Sequence, residues 1–236
     1  MASSAPTVQF LGTGAYLLFS FGVAKYLRTY YDTSTATALA SSGGALAAVA
    51  FLSLPLSRFD EVAAEVATLF ASLNQSKMPL FEVERVYSQV LRTVVTADAL
   101  PLIAGRLQIA TTTLPFFTRR VRMDSFTSVD ALLAALEASA YIPTYFQHLP
   151  RAPYQFEVDG GASSSTTSPR DSLIVCPKQK KGYDVTLERR YSYRLRIPTR
   201  EEMLALYESG YTRAAFLQTN IERKLATVVN PCVRRT

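Results

Sequence analysis

Apolar positions along this chain fall into two alternating kinds of run. Short stretches at 8–11, 35–39, 106–114 and 173–176 combine aliphatic and β-branched side chains, and they read as strands. Residues 157–159 read as a further short strand. Longer segments between them space their apolar residues for a helix: Ala15 to Tyr31, an Ala-rich stretch from Ala45, and the set Phe59, Val62, Val66, Leu69 and Phe70. Phe81 to Val95 reads the same way, and Ser128 to Ala140 reads as an amphipathic helix ended by Ile142-Pro143. Ser57 is the expected cap of the helix at Phe59, with Asp60 and Glu61 in its first turn. Thr199 and Glu202 form a capping box that opens a C-terminal helix over 200–229, with Leu204, Tyr207, Tyr211, Ala214 and Leu217 along one face. Residues 161–172 are Ser/Thr-rich without periodicity, which predicts a mobile loop. Strands alternating with helices predict an α/β fold around a mostly parallel sheet.

Composition sharpens this picture. The 236 residues, 48% hydrophobic and 19% charged, suit one globular domain over 1–236 rather than a disordered chain. The net charge of +6 is lopsided, with six Lys/Arg against seven Asp/Glu in residues 1–100 and nineteen against twelve thereafter. Arg119, Arg120 and Arg122 form one basic cluster; Lys178, Lys180, Lys181, Arg189 and Arg190 form another. No nucleic-acid motif accompanies them, so they read as solvated loops or as contacts to anionic headgroups. Cys176 and Cys232 are too few for a disulfide framework, which points to a reducing compartment. The apolar run Val8 to Leu27 lacks the basic start and small-residue cleavage site of a signal peptide. The run Ala38 to Leu56 is interrupted by Ser41-Ser42-Gly43-Gly44 and by Pro55, so neither is expected to span a membrane.

Candidate chemistry gathers at glycine-marked turns. Gly12-Thr13-Gly14 joins the first strand to the first helix, where unpartnered backbone N–H groups and the helix dipole favour an anion. A dinucleotide fingerprint would need glycine where Leu17 stands. Ser42 lies in a second strand-turn-helix unit, with Ala40 two residues before it and Gly44 two after. Small residues there are what a sharp nucleophile elbow requires, and Gly43 adds an N–H beside a developing oxyanion. Asp159, followed by Gly160 and Gly161, can approach such an elbow closely and serve as its base. The chain holds one histidine, His148, which reads as a surface residue rather than a base. His148 and the two cysteines are far apart in sequence, so no metal or cofactor is expected.

These motifs together resemble the patatin-like phospholipase domain over nearly the whole chain. Phe10 through Val23 looks like the family's oxyanion loop and first helix. Ala40 to Leu46 matches the G-x-S-x-G-[AS]-L elbow, and Asp159-Gly160-Gly161 matches the D-G-[GA] base turn. Segments Gly105 to Ile109, Ser125 to Ser128, Leu132 to Pro143 and Leu206 to Leu217 are similar to the adiponutrin and adipose triglyceride lipase branch. The chain departs from the pattern at Leu17, at Ala40 and at Ser164 to Thr167. The resemblance implies a three-layer α/β/α fold and a Ser42-Asp159 dyad. The oxyanion would be held by Gly12, Thr13, Gly14 and Gly43, with Ala40, Gly44, Gly160 and Gly161 as supports. It implies hydrolysis of glycerolipid acyl esters by a cytoplasmic protein peripheral to membranes or lipid droplets. Transfer of the acyl group to another lipid, or lipid binding without catalysis, are the other readings of the same fold.

Overall fold

The computed structural model describes residues 6–12, 14–76, 79–114, 118–122, 126–143, 148–150, 153–160, 172–180, 182–188 and 197–226. Its centre is a six-stranded mixed sheet. Strand β1 (Thr7–Phe10) pairs in parallel with β2 (Thr37–Ala40) on one side and β6 (Leu173–Val175) on the other. Strand β3 (Leu107–Thr113) continues the parallel set beside β2, with Ala40 level with Ile109. The last two strands are antiparallel. Thr118–Arg122 forms β4 along the outer edge of β3, and Glu157–Val158 forms the short β5. The expected mostly parallel α/β architecture is therefore present, and the basic residues Arg119, Arg120 and Arg122 lie on β4.

Helices cover the sheet: α1 (Leu17–Tyr30), α2 (Gly44–Ser53), α3 (Phe59–Ser72), α4 (Pro79–Arg92), α5 (Ala99–Ile103), α6 (Val129–Ala140), α7 (Arg200–Phe216) and α8 (Gln218–Ala226). Every residue of α2 is buried, and its small Ala side chains let it lie tightly between α1 and the sheet. Burial of Leu46, Val49, Phe51 and Leu52 contributes roughly 1.5–3 kcal/mol each. Helix α1 packs along α7 through Phe19, Phe21 and Tyr26, with the Phe21 ring 4.9 Å from Phe59 and 5.9 Å from Tyr207. Thr199 caps α7 with both halves of the capping box in place.

Several expectations are corrected. Ser57 does not cap α3: after Pro55 the chain enters it through a 3₁₀ turn over Leu56–Arg58, and Arg58 holds the cap position without a side-chain capping bond. The C-terminal helix breaks at Leu217 into α7 and α8. The buried stripe of α7 is Met203, Leu206, Tyr207, Gly210 and Ala214, while Leu204, Tyr211 and Leu217 are half-buried. Helix α6 is buried on nearly every side rather than amphipathic, because α4, β3 and β5 surround it. The fifth strand stops at Val158, one residue short of Asp159. Of the loop expected over 161–172, only Ser172 falls within the described residues. It is buried and its Oγ accepts a hydrogen bond from Gln9 Nε2. Among the described residues, no helix is long and apolar enough to cross a membrane.

Candidate active site

The sheet itself brings the serine and the aspartate together. Strand β4 occupies one edge of β3 from Ile109 to Thr113, so β2 and β5 must share the other edge. Strand β2 runs parallel to β3 and ends with Ala40 opposite Ile109. Strand β5 runs the opposite way, with Val158 opposite Thr112. The two strands point at each other, and the residues that follow them, Ser41-Ser42 and Asp159-Gly160, meet at the level of Ala110.

Glycine makes that meeting possible at two positions. A Cβ on Gly160 would lie 2.1 Å from the Ala110 carbonyl oxygen and 3.2 Å from Ser41 Cβ. A Cβ on Gly44 would lie 2.1 Å from the Phe10 carbonyl oxygen, so helix α2 can start against β1 only without a side chain there. Between these contacts Ser42 takes φ of +51°, the one described non-glycine residue with positive φ. Such a conformation costs a non-glycine residue of order 1–3 kcal/mol and persists only where surroundings enforce it.

The enforcing contacts are specific. Ser42 N–H donates to both the carbonyl (3.1 Å) and the Oγ (3.0 Å) of Ser139, at the end of α6. The Ser42 carbonyl accepts from the Tyr87 hydroxyl at 3.0 Å. Gly160 N–H donates to that same Ser139 carbonyl at 2.9 Å, and Ser139 Oγ donates to Ala110 O at 2.6 Å. Asp159 is held through its main chain, its N–H donating to Tyr141 O at 2.8 Å and its carbonyl accepting from Thr112 Oγ1 at 2.8 Å. Burial, with the Asp159 and then the Glu137 carboxylate nearby, pushes the Tyr87 phenol far above its ordinary value and keeps it a proton donor to Ser42.

The glycine loop after β1 lies against this elbow. A Cβ on Gly12 would sit 3.1 Å from Ser42 Cβ and 3.7 Å from its Oγ. Gly12 N–H donates to Ser41 Oγ at 3.0 Å, and Gly14, also at φ +51°, opens a 3₁₀ turn that leads into α1. Gly43 precedes α2, and its N–H has no hydrogen-bond partner among the described residues. The buried Cys176 thiol, pushed up by burial, lies under the loop with Sγ 3.9 Å from Gly12 O. Thr13 and Gly161 fall outside the described residues. His148 is exposed and pairs with Glu84 at 3.2 Å beside a cavity of about 400 Å³ between α4 and α6, which Glu137 and Tyr141 also line.

Sequence reasoning missed Ser139, Tyr87, Thr112 and Tyr141. One signal was available for Ser139, a hydroxyl between Ala138 and Ala140 in an otherwise Ala/Leu-rich stretch.

Comparisons with known proteins bear on the fold and the family. The chain matches the solved structure of VipD from Legionella pneumophila with a TM-score of 0.54 at 9% identity, over 92% of this chain and 67% of that one, a likeness of fold. No curated protein matches it. The family model described as patatin-like phospholipase matches residues 10–169, a span that runs from the glycine loop through the elbow to the Asp159 turn. The chain belongs to the patatin-like phospholipase family.

Proposed function

We propose that this protein is a serine lipid acyl hydrolase, a carboxylic ester hydrolase acting on glycerolipids through a Ser42-Asp159 dyad. The observation that carries the assignment is the end-on meeting of β2 and β5 at Ala110, with Ser42 held at positive φ at the junction. Ser42 Oγ attacks the ester carbonyl while Asp159 removes its proton and returns it to the departing alcohol. Water then attacks the acyl-enzyme, with Asp159 as base again, and the fatty acid leaves.

The tetrahedral oxyanion takes its first donor from Gly43, whose N–H is uncommitted among the described residues, and further donors from the Gly12-Thr13-Gly14 loop. Gly12 N–H would exchange Ser41 Oγ for the oxyanion as charge develops. Each such donor is worth roughly 10²–10³ in rate. That prior engagement of Gly12, together with Leu17 in place of a loop glycine, favours a second reading: a weak or inactive enzyme that binds lipid on the same fold. Likeness to the adiponutrin and adipose triglyceride lipase branch supports acylglycerols and phospholipids as substrates, met at a membrane or droplet surface in the cytoplasm. Phe156 and Leu149, both exposed on the stretch leading into β5, suit such contact.

Fatty-acid release from a panel of phospholipids and acylglycerols tests the proposal. Wild-type protein should release fatty acid, and Ser42→Ala should lose at least about 10³-fold, with Asp159→Asn close behind. Activity retained by Ser42→Ala would remove the dyad. Product that appears as a new acylated lipid would make the protein a transacylase.

A further inference from the structure

We propose that Ser139 is a positioning residue that sets the distance between the nucleophile elbow and the base turn. The inference rests on Ser42 and Asp159 as the reacting pair. Ser139 is fully buried, and a buried hydroxyl left unpaired would cost about 1–3 kcal/mol. The usual resolution on a helix is a bond back to the carbonyl four residues earlier, as Ser53 Oγ makes to Val49 O at 2.8 Å. Ser139 Oγ instead leaves its helix, donates to Ala110 O on β3 and accepts from Ser42 N–H.

Its carbonyl does the complementary work. The last carbonyls of a helix have no intrahelical donor, and this one accepts both Ser42 N–H from the elbow and Gly160 N–H from the base turn. One residue therefore touches β3, the nucleophile and the residue after the base. Tyr87 closes the frame from α4 by holding the Ser42 carbonyl. Two consequences follow for catalysis. Ser42 N–H is consumed in positioning and is no oxyanion donor, which leaves that task to Gly43 and the loop. The direction of Ser42 Oγ depends on a hydroxyl 97 residues away in sequence. A misplacement of about 1 Å at a reacting centre can lose about 10²-fold in rate.

Three variants test this: Ser139→Ala removes the hydroxyl, Ser139→Cys fills its space with a weak hydrogen-bonding group, and Ser139→Thr keeps it. Turnover is normalised to active sites titrated with a long-chain fluorophosphonate, and melting temperature is followed in parallel. Ser139→Ala and Ser139→Cys should both lose about 10–100-fold in kcat per titrated site with KM within about twofold, while Ser139→Thr stays near wild type. Wild-type kcat per site in Ser139→Ala or Ser139→Cys, with only a lowered melting temperature, would overturn the assignment and leave Ser139 a packing residue. Ser42→Ala is run alongside to separate the two claims. If it is dead while Ser139→Ala or Ser139→Cys turns over normally, only the positioning role fails. If Ser42→Ala is active, or if wild type neither hydrolyses nor takes up the phosphonate, the dyad fails and the positioning role with it.

Discussion

Two adjacent strand-to-helix turns in this protein solve the same geometric problem with different residues. After β1 the chain turns through Gly12 and Gly14 into α1; after β2 it turns through Ser41 and Ser42 into α2. Each turn contains one residue at φ +51°, Gly14 in the first and Ser42 in the second. Glycine adopts that conformation freely, and serine does not. Among its described residues the first turn has no strain to explain, whereas the second carries a strained non-glycine backbone held at its N–H by Ser139 and at its carbonyl by Tyr87. Strain kept where glycine would relieve it marks a position where the side chain itself is needed.

The largest effect expected on stability separates the glycines of the two turns. Gly44→Ala would drive a Cβ to 2.1 Å from the Phe10 carbonyl oxygen, a clash with backbone that only movement of α2 can relieve. A loss of about 3 kcal/mol or more is expected, read as a melting temperature at least roughly 6–12 °C lower. Gly14→Ala meets nothing within 4 Å and pays only for its positive φ, about 1 kcal/mol or some 2–4 °C. Equal losses in the two variants would break the distinction between close approach and backbone conformation.

A middle-sized effect isolates the strain at Ser42. Ser42→Gly and Ser42→Ala both remove the hydroxyl, but only glycine relaxes the backbone, so Ser42→Gly should be the more stable by about 1 kcal/mol in denaturant titration. Identical stabilities would mean that the elbow holds no strain.

The smallest effect distinguishes the helices that follow the turns. Helix α2 is anchored by burial and by the Arg28 guanidinium of α1, which donates to the Phe51 and Leu54 carbonyls at 3.2 Å, while α1 is also tied outward by Lys25 Nζ to Asp60 Oδ1 at 2.7 Å, and the Tyr207 hydroxyl donates to the same oxygen at 2.7 Å. The hydrogen bond from Lys25 holds the Asp60 carboxyl below its ordinary value, opposed by some burial and aided by Tyr207. A depressed carboxyl contributes stability that is present above its unfolded value, near pH 4, and is lost as pH falls through the folded value. Asp60→Asn should therefore lower the melting temperature slightly at pH 7, and the gap from wild type should close below pH 4. Most of the group is in solvent, so the shift should be small and should shrink with salt.

The comparison also shows which parts of the molecule the sequence exposes. Both turns were readable because glycine and small residues at fixed offsets carry local constraints: Gly44 must be small for β1 and Gly160 for β3. The capping box at Thr199 was legible for the same reason. Contacts that join distant segments were not. Ser57 has the right residue type for a cap, yet Pro55 and a 3₁₀ turn place Arg58 there instead. The break at Leu217 has no glycine or proline to announce it. Ser139 carries no motif of its own in the sequence, because its partners, Ala110, Ser42 and Gly160, are supplied by β3, the elbow and the base turn. The end-on approach of β2 and β5 depends on β4 filling the other edge of β3, and that pairing is a property of the sheet rather than of any one segment.

The most direct measurement of the central claim is mass mapping of the residue that a long-chain fluorophosphonate modifies, in wild type and in Asp159→Asn. The account predicts one adduct per chain, on Ser42, forming at least about 10²-fold more slowly without the Asp159 carboxylate. An adduct on another serine, or labelling of Ser42 that ignores Asp159→Asn, would contradict it.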